Sequence, residues 1–176
     1  MFKLVFRSDR LSRKSCCGFA LTLSLAAAWP AQAIEFGHAA PEFELAGPKG
    51  GVKLSSQKGK VVYLDYWASW CAPCRQSFPW MNDIQARFGD RGLQIIAVNL
   101  DARPEDANKF LTQNNANFTI AYDPKGETPR LYGVKGMPTS VLIGRDGKVL
   151  FQHVGFNQDN RAELEKKISE ALEDKR

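Results

Sequence analysis

Residues 65–80 read "DYWASWCAPCRQSFPW", and the fold turns on how that stretch divides. Its first part closes the run "KVVYLDYWA" (60–68), almost continuously apolar and rich in β-branched and aromatic residues, which predicts a strand buried on both faces. Its second part opens a helix: from Cys74 onward Phe78, Met81, Ile84 and Phe88 recur at helical spacing, and Gly89 is a stop. Cys71 and Cys74 therefore fall where a buried strand hands over to a helix. Three residues apart at a helix start, their Cα atoms come within the roughly 4.4–6.8 Å that a disulfide requires. At the helix N-terminus the unsatisfied backbone N–H groups favour the Cys71 thiolate, which makes Cys71 the attacking sulfur and Cys74, one turn deeper, the resolving one. Pro73 suits the first turn, where its missing N–H has no intrahelical partner to lose.

Outward from this junction, strands and helices alternate. "LQIIAVNLD" (93–101) predicts a second buried strand, and "PEDANKFLTQNN" (104–115) a helix with Pro104 at its first position and Phe110 and Leu111 as core contacts. "FTIAYD" (118–123) is a short strand, followed by a helical turn or two in "ETPRLYG" (127–133). "TSVLIGRDGKVLFQHVG" (139–155) predicts two strands joined at Asp146 and Gly147, and the closing segment places Leu164, Ile168 and Leu172 on one helical stripe. Ahead of the junction, "APEFELAGPKGGVKLSSQKGK" (40–60) suggests a β-hairpin with strands near Glu42–Leu45 and Val52–Leu54. The expected architecture is α/β: a central mixed sheet flanked by helices on both faces, with an N-terminal hairpin extension.

The chain has 176 residues, enough for one domain with a real core. Its beginning reads as a secretory signal peptide, residues 1–33. Lys3, Arg7, Arg10, Arg13 and Lys14 precede an apolar run of 14 residues from Cys16 to Trp29, and Ala31 and Ala33 follow. That run falls short of the roughly 20 residues of a spanning helix, so cleavage after Ala33 is favoured over a retained anchor. The domain expected to remain is 34–176, in the periplasm. Taking the leader's five basic residues and one acidic residue from the chain's 24 and 19 leaves 19 and 18, so the net charge falls from +5 to about +1. A charge so close to neutral gives no reason to propose nucleic acid as a partner.

Without Cys16 and Cys17, only Cys71 and Cys74 remain, in a compartment that favours disulfides. A structural staple gains from closing a long loop, and this pair closes almost none. A structural zinc site wants four ligands, and the only histidines are His38 and His153, so no metal is expected. A working redox pair is the remaining reading, with the Cys71–Cys74 disulfide as its own redox group and no other cofactor. Asp65 lies in the middle of the buried strand, where an unpaired carboxylate is costly unless it is protonated or finds partners.

Together, "APEFEL", "KGKVVYLDYWASWCAPCRQSFPWM", "IIAVNLD", "GMPTSVLIGRDGKVL" and the closing helix resemble the thioredoxin superfamily, and more closely its exported TlpA/ResA-like branch. The resemblance spans nearly all of 34–176. It implies a thioredoxin-like fold and thiol-disulfide oxidoreductase activity. By the same resemblance Pro138 in "GMPT" is a cis-proline beside the cysteines, with Met137, Pro138 and Thr139 meeting an incoming peptide. Trp70 flanks the nucleophile as part of that docking surface, Pro79 is the proline that kinks the active-site helix, and Asp65 is the proton acceptor for Cys74. Two positions depart from the pattern. Ser77 stands where many of these reductases carry a glutamate, which weakens any carry-over of a cytochrome c maturation role. "LQIIAVNLD" also lacks the lysine that pairs with thioredoxin's buried aspartate.

Direction is the main open question. Ala72–Pro73 resembles the Gly-Pro of reducing thioredoxins and lacks the Pro-His pair of strong oxidants, which favours a reductase. The alternatives are a disulfide-donating oxidase, and a copper-site or cytochrome c assembly factor using the same thiolates, which suit Cu(I). The segment "WCAPC" does not fit the threonine-preceded cysteine of peroxiredoxins, which share the fold. The expected partners are proteins with disulfides or thiols, among them apocytochrome c or copper-site proteins, and a membrane electron donor of the DsbD type. The protein is expected to act as a monomer.

Overall fold

The computed structural model describes residues 34–174; the expected signal peptide, residues 1–33, lies outside the described residues. In chain order the elements are β1 (Glu44–Gly47), β2 (Gly50–Lys53), β3 (Val61–Trp67), α1 (Ala72–Phe88), β4 (Leu93–Asn99), α2 (Pro104–Gln113), β5 (Thr119–Tyr122), α3 (Glu127–Leu131), β6 (Thr139–Ile143), β7 (Val149–Val154) and α4 (Arg161–Glu173). They build a seven-stranded sheet of order β2-β1-β5-β4-β3-β6-β7. None of the described helices is long and apolar enough to cross a membrane.

β3 is the axis of the sheet. It pairs parallel with β4 and antiparallel with β6, so both edges are hydrogen-bonded, and all seven of its residues are buried. That is the environment its unbroken apolar run requires. Strand alternation sends Val61, Tyr63, Asp65 and Trp67 to one face and Val62, Leu64 and Tyr66 to the other. The first face packs against Phe78, Met81 and Ile84 of α1, Ala107 and Phe110 of α2, and Leu164 and Ile168 of α4. The second is covered by Tyr132 at the end of α3, by Phe43, and by Val52 and Leu54 of the hairpin region. Helices thus flank both faces, the second more thinly than the first.

The hairpin sits slightly off its expected place: β1 begins at Glu44 and β2 ends at Lys53, with Leu45 opposite Val52. The reason is glycine. Gly47 ends β1 against β5, and a Cβ there would lie 2.7 Å from the Ile120 carbonyl oxygen, so only glycine permits that approach. The hairpin joins the sheet at Ala46, which faces Tyr122.

Candidate active site

Parallel pairing with β4 carries the end of β3 to the rim of the sheet, and the chain turns there through Ala68, Ser69 and Trp70 into α1. Cys71 is the N-cap of α1. Its backbone is extended, the non-helical geometry of an N-cap, and its Sγ accepts the backbone N–H of Cys74 at 3.3 Å. Pro73 lies in the first turn, as its lack of an N–H favours. Cys71 and Cys74 form a disulfide with Cα atoms 5.3 Å apart. The two sulfurs sit in unequal surroundings: Cys71 keeps 5% of its surface exposed and Cys74 none. Trp70, immediately before them, is 72% exposed, a large apolar side chain held out in water. Single exposed apolar residues are common, but this one stands next to the more accessible cysteine of the pair.

The peptide bond between Met137 and Pro138 is cis. Pro138 is buried, and its carbonyl accepts the N–H of Gly155 at 2.7 Å, which ties the loop to the end of β7. Thr139 is fully buried and donates its hydroxyl to the Gly136 carbonyl at 2.6 Å, closing the turn from below. Met137 packs, partly buried, on the cluster that contains both cysteines. The sequence segments "WCAPC" and "GMPT", more than 60 residues apart, therefore meet at one rim.

Asp65 lies one layer below. It is 2% exposed, faces the same side of the sheet as Tyr63 and Trp67, and stands between Ala97 of β4 and Ser140 of β6. One carboxyl oxygen, Oδ2, is wholly buried with no hydrogen-bond partner. Burial pushes the Asp65 carboxyl well above the usual carboxylate range. The partner position on β4 is Ala97, so no cation offsets that burial from the strand beside it.

Ser77, where a glutamate was a conceivable tuner, is buried and donates its hydroxyl to the Cys74 carbonyl at 2.9 Å, a local bond to the preceding turn. Pro79 sits exposed inside α1, which continues through it to Phe88; its ring removes one helix hydrogen bond on the solvent side. His38 pairs with Glu35, and His153 is hydrogen-bonded to Asn160. Sequence reading passed over one residue at this rim. Asp101, just beyond β4, accepts hydrogen bonds from Ser69 and Asn99, and an acid directly after a buried strand was the only local signal for it.

A protein-family model, Redoxin, matches residues 35–168. The chain belongs to the Redoxin family. This redoxin is 38% identical over 120 residues to the thiol-disulfide oxidoreductase ResA of Bacillus thuringiensis subsp. konkukian, covering 66% of this chain and 68% of that one. It is 33% identical over 135 residues to ResA of Bacillus subtilis, covering 76% and 75%. Among solved structures it matches a Chlorobium tepidum protein, described as a candidate thiol:disulfide interchange protein DsbE, at 61% identity and a TM-score of 0.79, over 80% of this chain and 99% of the other. With its cysteine pair joined at the head of α1, the redoxin is a thioredoxin-like thiol-disulfide oxidoreductase.

Proposed function

We propose that this redoxin is an extracytoplasmic reductase of protein disulfides. The observation that carries the reading is the asymmetry of the pair, in which Cys71, at a helix N-terminus, keeps 5% of its surface exposed and Cys74 is sealed beneath it; the Ala72–Pro73 between them favours the reducing direction. The Cys71 thiolate attacks a client disulfide, and one client sulfur leaves as a thiolate. The client then hangs on Cys71 beside Trp70 and the loop of Met137, Pro138 and Thr139. Cys74 gives up its proton and attacks the Cys71 sulfur, the second client sulfur departs, and the Cys71–Cys74 disulfide remains. Two electrons have passed to the client.

Asp65 is the group that takes the Cys74 proton in this scheme. Burial brings its proton affinity closer to that of a thiol than an ordinary carboxylate's would be, and such matching eases transfer. The pair serves as its own redox group, with no further cofactor. It must be reduced again after each turnover, and a membrane electron donor of the DsbD type would supply the electrons. The leader in 1–33 and the likeness to ResA and DsbE support a site of action outside the cytoplasm. The client class is a protein disulfide, with apocytochrome c and copper-site cysteines as the candidates.

Two experiments test this. The protein should catalyse reduction of insulin disulfides by dithiothreitol, and absence of catalysis would leave a thiolate binding module instead. Cys74→Ser should accumulate client proteins joined covalently to Cys71; a variant that traps none under turnover contradicts the mechanism.

A further inference from the structure

The scheme leaves the buried acid at the rim, Asp101, without a role. Asp101 is 4% exposed, and three donors converge on its carboxylate. The Ser69 backbone N–H reaches both oxygens, at 3.0 and 3.3 Å, the Ser69 hydroxyl lies at 3.0 Å, and the Asn99 side-chain amide at 2.8 Å. Asn99 in turn accepts the Asp101 N–H at 3.1 Å, so the acid is held at both ends. The ion pairs among the described residues all lie elsewhere, and none of those residues supplies Asp101 with a cation. Ser69 belongs to the turn that delivers Cys71, whose own N–H bonds to the Ala68 carbonyl at 3.1 Å. Only two Cα steps, each about 3.8 Å, separate the residue Asp101 grips from the N-cap sulfur's residue.

We propose that Asp101 is a positioning residue that locks the turn of Ala68, Ser69 and Trp70 and whose charge opposes the Cys71 thiolate, keeping the pair a reductant. The helix N-terminus favours that thiolate, and a buried negative charge hydrogen-bonded to the turn ahead of it disfavours it. Water screens the charge poorly because its carboxylate is out of solvent. Destabilising the thiolate destabilises the reduced form, so electrons leave the pair more readily. The elements around Cys71 also carry Tyr63, Asp65 and Tyr66 on β3, Cys74 and the exposed Arg75 on α1, whose Asp83 and Arg87 pair with each other, Arg103 after β4, which is paired with Asp106, and the exposed Lys135 before the cis-proline. Asp101 differs from these in being bonded through its carboxylate to the turn itself. This inference rests on Cys71 being the attacking sulfur.

The test is the pH dependence of Cys71 alkylation in the reduced full-length protein, together with its equilibrium against glutathione. Asp101→Asn should move the Cys71 titration midpoint down by half a pH unit or more, a threefold change. Above that midpoint it should shift the glutathione equilibrium at least threefold toward the dithiol, which is about 14 mV less negative. Ser69→Ala removes a hydrogen bond and keeps the charge, so its midpoint should stay within twofold of the parent. An unmoved or raised midpoint in Asp101→Asn, or an equal downward shift in Ser69→Ala, overturns the proposal, since a mere anchor would respond to both alike. Should Asp101→Asn not fold, Asp101→Ser, which also removes the charge and leaves a hydroxyl facing the turn, takes its place: its Cys71 midpoint should fall by the same half unit or more, and an unmoved or raised midpoint refutes the coupling. If Cys74 alkylates before Cys71, the reading of the pair fails, and this inference with it.

Discussion

Replacing Asp65 by Asn should stabilise the oxidised protein, and the gain should depend on pH in a defined way. Asp65 is 2% exposed, its Oδ2 has no partner, and burial raises its pKa well above that of an unfolded aspartate. The folded state therefore holds a proton that the unfolded chain releases near pH 4. Below that pH both states are protonated and the site carries no charge penalty. As pH rises through the interval between the two pKa values, the unfolded chain ionises and the folded one does not, so folding loses stability. One proton sets the slope at up to about 1.4 kcal/mol per pH unit. Above the folded pKa the penalty is complete and constant. Asparagine has nearly the same shape and no charge, so urea unfolding of the two proteins should give a gap in the variant's favour. The gap should widen from about pH 4 at no more than that slope and then level off. Oxidised protein is needed so that the cysteines do not titrate. A pH-independent gap, or a parent protein that gains on the variant as pH rises, would refute the reasoning.

Other expectations follow from packing. Phe78 meets Trp67, Phe110 and Phe118 at ring-centroid distances of 4.8, 5.0 and 5.4 Å, so Phe78→Ala should cost about 3–5 kcal/mol in chemical denaturation. A loss under 1 kcal/mol would mean that this cluster does not hold α1 on the sheet. Trp70→Ala should change stability by no more than about 0.5 kcal/mol, since the side chain is exposed. The same variant should slow disulfide exchange with protein clients while leaving exchange with glutathione nearly unchanged. Equal slowing of both would remove Trp70 from the docking surface. Gly92 has φ +97°, and a Cβ there would meet the Arg145 guanidinium at 2.7 Å, so Gly92→Ala should cost about 1–3 kcal/mol by thermal unfolding.

Much of this architecture was legible because its signals are local. The unbroken run at 61–67 could be satisfied only in the middle of a sheet, and Phe78, Met81 and Ile84 gave α1 its period. Asp146 and Gly147 marked the hairpin between β6 and β7, with Gly147 at φ +79°. Asp65 announced itself as a charge in an apolar run. Other features depend on contacts distant in sequence. The cis bond at Pro138 was expected from family likeness alone, since no residue nearby encodes it. The shift of the first hairpin follows from how closely Gly47 meets Ile120. Asp101 grips Ser69 across 32 residues of chain, and nothing in "NLD" indicates which turn it holds.

The central claim is that Cys71 and Cys74 are a redox pair working in the reducing direction. Its most direct test is the equilibrium reduction potential, followed by tryptophan fluorescence in defined thiol buffers, with Trp67 and Trp70 close to the pair as reporters. The account predicts a value near that of thioredoxin, about −270 mV. A value near −120 mV, the range of strong oxidants, would make the protein a disulfide donor and contradict it.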